Sequence, residues 1–228
     1  MTWAGAAGDP GQASMGPDRL QRDPASARQR LVLLHGWGAD ADDLFELGEL
    51  LVGPEVSVVA LRAPLPHPAG AGRQWYDLQQ PGWPQLPAAR QDLLLRLHQL
   101  DGEVPLDRTA VLGFSQGAAL ALDVVTGGAG LPVAGLICCS GYPHPGWQPG
   151  RLPAFPVRPD AAVLLTHGQL DAVVPYGASE EIRRQLTASG RHVELLSFGG
   201  GHTIDEALFP ALRAFLQACW RRPGSQKI

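Results

Sequence analysis

The sequence predicts an α/β fold, a mostly parallel sheet with helices on both faces. Short apolar runs alternate with stretches whose apolar residues recur every three or four positions, about five times along the chain, and such alternation builds strand–helix–strand units. The apolar runs are continuous rather than alternating, as in strands buried on both faces. Their C-terminal ends lead into segments rich in glycine and proline, where sheets of this kind bind ligands. A length of 228 residues fits one domain of this class.

Residues 1–29 are rich in Gly, Pro, Ala, Ser and Asp without periodicity and are expected to form a flexible tail. The domain is expected over residues 30–221, with a short C-terminal tail at 222–228. Its first strand is 31–34, followed by the glycine-punctuated loop 35–40 and a helix over 42–51 with Leu44, Leu47 and Leu51 on one side. A second strand spans 56–61. Residues 63–87 form a long loop with Trp75, Tyr76 and Trp83, and a loop of that length in a compact domain is usually functional or disordered. The spacing of Ala89, Leu93, Leu97 and Leu100 predicts a helix over 88–100. Residues 109–114 are a strand, and a helix that is apolar nearly all round follows it, ending at Gly127-Gly128. Strands are then expected at 133–139, 161–166 and 193–198. Residues 140–159 form a second proline-rich loop with Tyr142, Trp147 and Phe155. Helices are expected at 176–189 and at 203–220, the last with a stripe through Ile204, Leu208, Leu212, Phe215 and Cys219.

A hydrophobic content of 45 % with 18 % charged residues describes a globular protein, and a net charge of −4 without a basic cluster argues against nucleic acid as a partner. The three cysteines have no paired framework or metal-ligand spacing. Cys138 and Cys139, adjacent in a strand, should face opposite ways as buried thiols of a reduced, cytoplasmic protein. The N-terminus has no basic start followed by an apolar core, and no apolar run reaches the roughly 18 residues of a membrane span, so no stable membrane insertion is expected. His67, His98, His144 and His192 have no partner at metal spacing and are expected at the surface, so no metal site is predicted. His35 and His167, each before a glycine at a strand end, are expected to be satisfied core histidines.

Chemistry concentrates around Gly113-Phe114-Ser115-Gln116-Gly117. This is a G-x-S-x-G corner between a buried strand and an apolar helix, which presents a serine hydroxyl at the top of a sheet. The glycines let strand and helix crowd the turn and allow backbone angles that other residues resist. A serine nucleophile needs an imidazole to take its proton and a carboxylate to orient the imidazole, on loops that follow strands and in the order Ser, Asp or Glu, His. Asp171 and His202 meet that condition. Asp171 could instead cap the turn before Pro175, with Asp160 or Asp205 as the orienting acid. The Gln116 N–H, unpaired at the first turn of its helix, and the Trp37 N–H of the loop after the first strand are the expected oxyanion donors. Trp75 and Tyr76 are candidate substrate-binding residues, or pack their loop onto the domain.

The motifs HGWGAD, GFSQGAALAL, HGQLDAVVP and GGGHTID together resemble the four landmarks of the phospholipase/carboxylesterase family of α/β-hydrolases, which includes acyl-protein thioesterases and lysophospholipases. Trp75-Tyr76-Asp77 resembles that family's W-[FY]-D loop beside the active site. The resemblance runs from about residue 31 to 220. It implies the α/β-hydrolase fold without a separate lid domain, the triad Ser115, Asp171 and His202, no cofactor, and hydrolysis of acyl-chain or small-molecule esters or thioesters. The departures are the bulky Trp37 where the family commonly has a smaller aliphatic residue, a brief insertion after Asp77, and no clear strand before Leu31. A bulky Trp37 would narrow the acyl site and favour short-chain esters. An acyltransferase, a dienelactone-type hydrolase and a non-catalytic binding module on the same scaffold are the alternative functions. The second of these typically has cysteine where this chain has Ser115.

Overall fold

The computed structural model describes residues 14–15, 18–102, 104–127, 131–150 and 161–221. Its strands are β1 (Ser14–Met15), β2 (Arg19–Arg22), β3 (Arg30–Leu34), β4 (Ser57–Leu61), β5 (Leu65–Pro66), β6 (Arg73–Gln74), β7 (Thr109–Phe114), β8 (Gly135–Cys139), β9 (Ala162–Gly168) and β10 (Val193–Phe198). The α-helices are α1 (Asp42–Leu51), α2 (Leu86–Gln99), α3 (Gln116–Thr126), α4 (Gly177–Ala188) and α5 (Phe209–Arg221). Eight strands form one sheet in the order β1-β2-β4-β3-β7-β8-β9-β10, and β5 pairs with β6 separately. From β4 to β10 every neighbouring pair is parallel, while β2 runs antiparallel to β4 and β1 antiparallel to β2.

The continuous apolar runs are buried on both faces, as their lack of alternation implies. In β3 every residue is buried, with Leu31 and Leu33 facing α1 and α5, and Val32 and Leu34 facing α2, α3 and α4. Each such leucine or valine contributes about 1.5–3 kcal/mol when fully removed from water. Cys138 and Cys139 do enter opposite cores, as free thiols, and burial pushes the Cys139 thiol up to about 12. β3 lies between β4 and β7, so the chain leaves it in opposite directions at that point. A crevice opens at the carboxyl ends of the strands where the order reverses, which here are β3 and β7.

The N-terminal expectation needs correcting. Arg19–Arg22 is a strand whose Leu20 is buried and whose residues register against β4 from Arg19↔Leu61 to Arg22↔Val58. Arg22 also pairs with Glu49 at 3.1 Å and bonds the Gly53 carbonyl. A four-residue strand with one apolar side chain is too short to show a period, and the pairing partner that makes it a strand is remote in sequence. Residues 1–13, 16–17 and 222–228 of the two expected tails lie outside the described residues, as do 151–159 of the second proline-rich loop.

The last helix starts later than its apolar stripe suggests. It begins at Phe209, immediately before Pro210, and residues 203–208 form turns, including the short 3-10 segment Glu206–Leu208. Proline lacks an N–H and clashes with the preceding turn, so it is tolerated only in a helix's first turn. The Asp205 side chain accepts the Ala207 N–H, closing the turn that precedes the helix.

Candidate active site

The corner between β7 and α3 is built on a strained residue. Ser115 has φ 53° and ψ −117°, a conformation that costs a non-glycine residue on the order of 1–3 kcal/mol. Its N–H is tied to the Cys139 carbonyl at 2.9 Å, and its carbonyl accepts the Ala119 N–H at 3.0 Å as α3 begins. The flanking glycines supply space rather than unusual angles, since neither has a positive φ. A Cβ at Gly113 would strike the Ala118 backbone, and one at Gly117 would strike the carbonyls of Leu34 and His35. The strain therefore sits on the serine, held by packing on both sides.

Three residues from three loops meet there. His202 Nδ1 lies 2.7 Å from Asp171 Oδ2, and His202 Nε2 lies 2.9 Å from Ser115 Oγ. The carboxylate accepts only, so Nδ1 carries the proton and Nε2 is left bare to accept the Ser115 hydroxyl. Asp171 also caps its turn, because its other oxygen accepts the N–H groups of Val173 and Val174 at 2.9 and 2.8 Å. The alternatives for this aspartate are thus both realised, one on each oxygen. Burial works against its charged form. The bonds from His202 and the two amides outweigh that, and they hold the Asp171 carboxyl below its ordinary range. Asp205 instead caps Ala207, and Asp160 lies outside the described residues.

His35 and His167 are satisfied core histidines with a structural effect on the site. His35 accepts the Ala63 N–H through Nε2 and donates through Nδ1 to the Gly36 carbonyl, and burial keeps it neutral by lowering its pKa. His167 donates through Nε2 to the Val174 carbonyl and has that nitrogen 3.2 Å from Asp171 Oδ2. It therefore braces the loop that carries the carboxylate.

The loop after β3 passes close to the serine. A Cβ at Gly36 would lie 3.5 Å from the Ser115 Cβ. Gly38, with φ +81°, donates to the Arg73 carbonyl, and Arg73 donates back to Ala39, which clamps this loop to β6. Neither the Trp37 N–H nor the Gln116 N–H meets a protein acceptor among the described residues. The Gln116 side chain bridges to the neighbouring loop, accepting from the Trp75 N–H at 3.0 Å and donating to the Tyr76 carbonyl at 2.7 Å.

Trp75 and Tyr76 do not line an open groove. They are 1 % and 0 % exposed and belong to the core beneath α2 and α3. The Trp75 indole donates to the His35 carbonyl, and the Tyr76 hydroxyl meets Tyr142 at 2.7 Å and His144 Nε2 at 2.6 Å. His144, expected at the surface, is buried with Nδ1 2.5 Å from Asp123 Oδ2, which Arg90 also contacts. Two aromatic residues within a proline-rich loop carry no period that would separate packing from lining.

The open space lies elsewhere. A groove of about 400 Å³ runs from His202 between α1 and residues 203–209, and Leu44, Leu47, Phe114 and Ile204 line it. Leu44 and Leu47 belong to a stripe that reads as core, and periodicity does not distinguish a residue over the sheet from one at its end. Ile204 reads as helix until Pro210 is given its weight. Among the described residues, no group of three or more His, Cys, Asp or Glu could hold a metal ion, and no helix is long and apolar enough to cross a membrane.

Comparison with known proteins places the fold and family. A model of the phospholipase/carboxylesterase family matches residues 19–220. The chain belongs to this family. It is a hydrolase of esterase type on the α/β-hydrolase fold, and the match takes in β2. The esterase YpfH of Escherichia coli (strain K12) is 28 % identical over 198 residues, covering 82 % of this chain and 81 % of that protein. Acyl-protein thioesterase 1 of Eremothecium gossypii is 29 % identical over 120 residues, about half of each chain, 50 % and 49 %. The crystal structure of esterase PE8 superposes with a TM-score of 0.74 at 29 % identity, covering 87 % of this chain and 97 % of that one. A Bacillus cereus carboxylesterase shares the fold at TM-score 0.75 and 19 % identity, with 88 % and 93 % covered.

Proposed function

We propose that this protein hydrolyses carboxylic esters or thioesters through an acyl-serine intermediate. The observation that carries the reading is the Nε2 of His202 at 2.9 Å from the Ser115 hydroxyl, with its Nδ1 already committed to Asp171. His202 takes the hydroxyl proton as Ser115 Oγ bonds to the substrate's carbonyl carbon. The oxygen that becomes negative is received by the Trp37 and Gln116 N–H groups. The tetrahedral adduct expels the alcohol or thiol, which leaves with the proton from His202. Water then repeats the sequence on the acyl-serine, giving its proton to His202, and the carboxylic acid departs as Ser115 regains its hydrogen. Asp171 stabilises the imidazolium formed in each half. No cofactor enters this scheme. The substrate is a small-molecule or acyl-chain ester or thioester, and the three free thiols fit a cytoplasmic setting.

The test is covalent labelling. A fluorophosphonate probe should mark the protein at Ser115 and leave Ser115→Ala unmarked, and an unlabelled parent protein would end the proposal. Turnover of p-nitrophenyl esters from acetyl to palmitoyl then reports the acyl site. Trp37 is expected to favour the short esters, and Trp37→Leu to extend the range.

A further inference from the structure

The groove beside His202 differs in charge from an ordinary apolar pocket. Its floor is Leu44, Leu47, Phe114 and Phe209, and among the described residues the ionisable side chains in its wall other than histidines are Asp43 and Glu206. Both acids are exposed at its margin, and among the described residues no lysine or arginine lines it. Asp43 uses one oxygen to accept the Asp40 N–H at 2.6 Å, and this holds the carboxylate in place on α1. His202 forms part of the wall, with its ring against Phe114 at a centroid distance of 4.9 Å.

Position relative to the chemistry decides which half of a substrate the groove receives. His202 Nε2 must hand its proton to the departing oxygen or sulfur, so the leaving group lies on the imidazole side of the carbonyl carbon. The groove is lined by His202, Thr203 and Ile204, by α1, and by His35, Gly36 and Ala39 of the loop after β3. Neither Trp37, the residue expected to bound the acyl site, nor Gln116 lines it.

We propose that this groove holds the alcohol or thiol half of the substrate and selects an apolar leaving group that carries a positive charge, such as a quaternary ammonium. This rests on the ester or thioester reading above. Leu47 and Phe114 take the apolar part, while the acids Asp43 and Glu206 attract a cation and repel an anion at the mouth. Exposed charges act weakly and are screened, so the selection is expected to be about fivefold and to fade with salt.

Three butyryl thioesters test it, made with 2-(trimethylammonio)ethanethiol, the uncharged isostere 3,3-dimethylbutanethiol, and 3-mercaptopropionate. Thiol release gives kcat/KM for each. After each kcat/KM is divided by the hydroxide-catalysed rate of the same thioester, which removes the unequal leaving abilities of the thiols, the cationic thioester should exceed its neutral isostere by about fivefold and the anionic one by more, with the ratios falling toward one in about 0.5 M salt and in Asp43→Asn/Glu206→Gln. Equal rates on all three thioesters, or a preference that survives the double substitution, would overturn the charge assignment. Leu47→Trp tests occupancy. It should lower kcat/KM more for bulky than for small leaving groups and ignore acyl length, whereas a penalty that follows acyl length would place the acyl chain in the groove. No hydrolysis of any thioester together with no fluorophosphonate labelling would instead bring down the esterase reading itself.

Discussion

Two rows of carboxylate, imidazole and hydroxyl cross this molecule. One runs Asp171, His202, Ser115, and the other runs Asp123, His144, Tyr76. Their hydrogen-bond patterns match, with Nδ1 on an aspartate and Nε2 on a hydroxyl, yet their surroundings differ. The His202 side chain is 18 % exposed and opens on a groove, whereas that of His144 is 0 % exposed and sealed by Tyr76, Trp83 and Tyr142. Asp123 divides its charge between His144 and Arg90, while among the described residues Asp171 has no arginine and is held by amide N–H groups and two imidazoles. Burial drives the Tyr76 hydroxyl far above its ordinary pKa, and a second hydroxyl, from Tyr142, occupies it. Ser115 instead sits at a strained corner, and the Trp37 and Gln116 N–H groups proposed to receive the oxyanion meet no protein acceptor among the described residues. The same three functional groups thus make a brace in one place and a candidate reaction centre in the other. Access, strain and nearby donors account for the difference.

Substitutions in the two rows should separate these roles. The largest effect is expected from His202→Ala, which should lower kcat on a p-nitrophenyl ester by about 10⁶-fold with the melting temperature little changed. A loss below about tenfold would mean that His202 is not the base. Asp171→Asn should cost about 10⁴-fold by disturbing the tautomer on which Nε2 depends. His144→Ala reverses the pattern. Turnover should stay within about tenfold, but the Asp123 carboxylate loses a buried partner, and stability should fall by about 3 kcal/mol. That corresponds to a calorimetric midpoint lower by roughly 6–12 °C for a chain of this length. Tyr76→Phe, which removes one buried hydroxyl and keeps the ring, should cost about 1–2 kcal/mol in urea denaturation.

The smallest effect is one of pH. Asp171 has a folded-state pKa below its unfolded value, so its contribution to stability is present above about pH 4 and is lost as pH falls through the folded value. The urea-midpoint gap between the parent and Asp171→Asn should therefore narrow at pH below about 4, and a gap that widened there would reverse the assigned direction.

Much of the site was legible in the chain because its signals are local. The pattern Gly113-Phe114-Ser115-Gln116-Gly117 is legible within five residues, although the space a Cβ would need is filled by Ala118 at Gly113 and by the remote Leu34 and His35 carbonyls at Gly117. Asp171 and His202 follow strands whose apolar runs are easily seen. The Asp123–His144–Tyr76 row was not legible, since its members lie in a helix and two loops without period and meet only when Gln116 and the core draw those loops onto α3. Trp75 misled for the same reason, because a large aromatic in a loop fits a groove and a core equally well. The groove itself depended on Pro210, which delays α5 and leaves Thr203 and Ile204 in a turn beside the imidazole.

The sequence by itself determined the class of sheet, the corner that strains Ser115, and the order in which acid and base follow it. These depend on the period of apolar residues, the room a glycine leaves, and loops that must emerge at strand ends. Only the tertiary structure decided which histidine meets which aspartate, which aromatics are core, and where a substrate has room. Those outcomes rest on contacts such as the one between Ser115 and His202, 87 residues apart. They are set by strand register and by the packing of aperiodic loops, and no local preference encodes either.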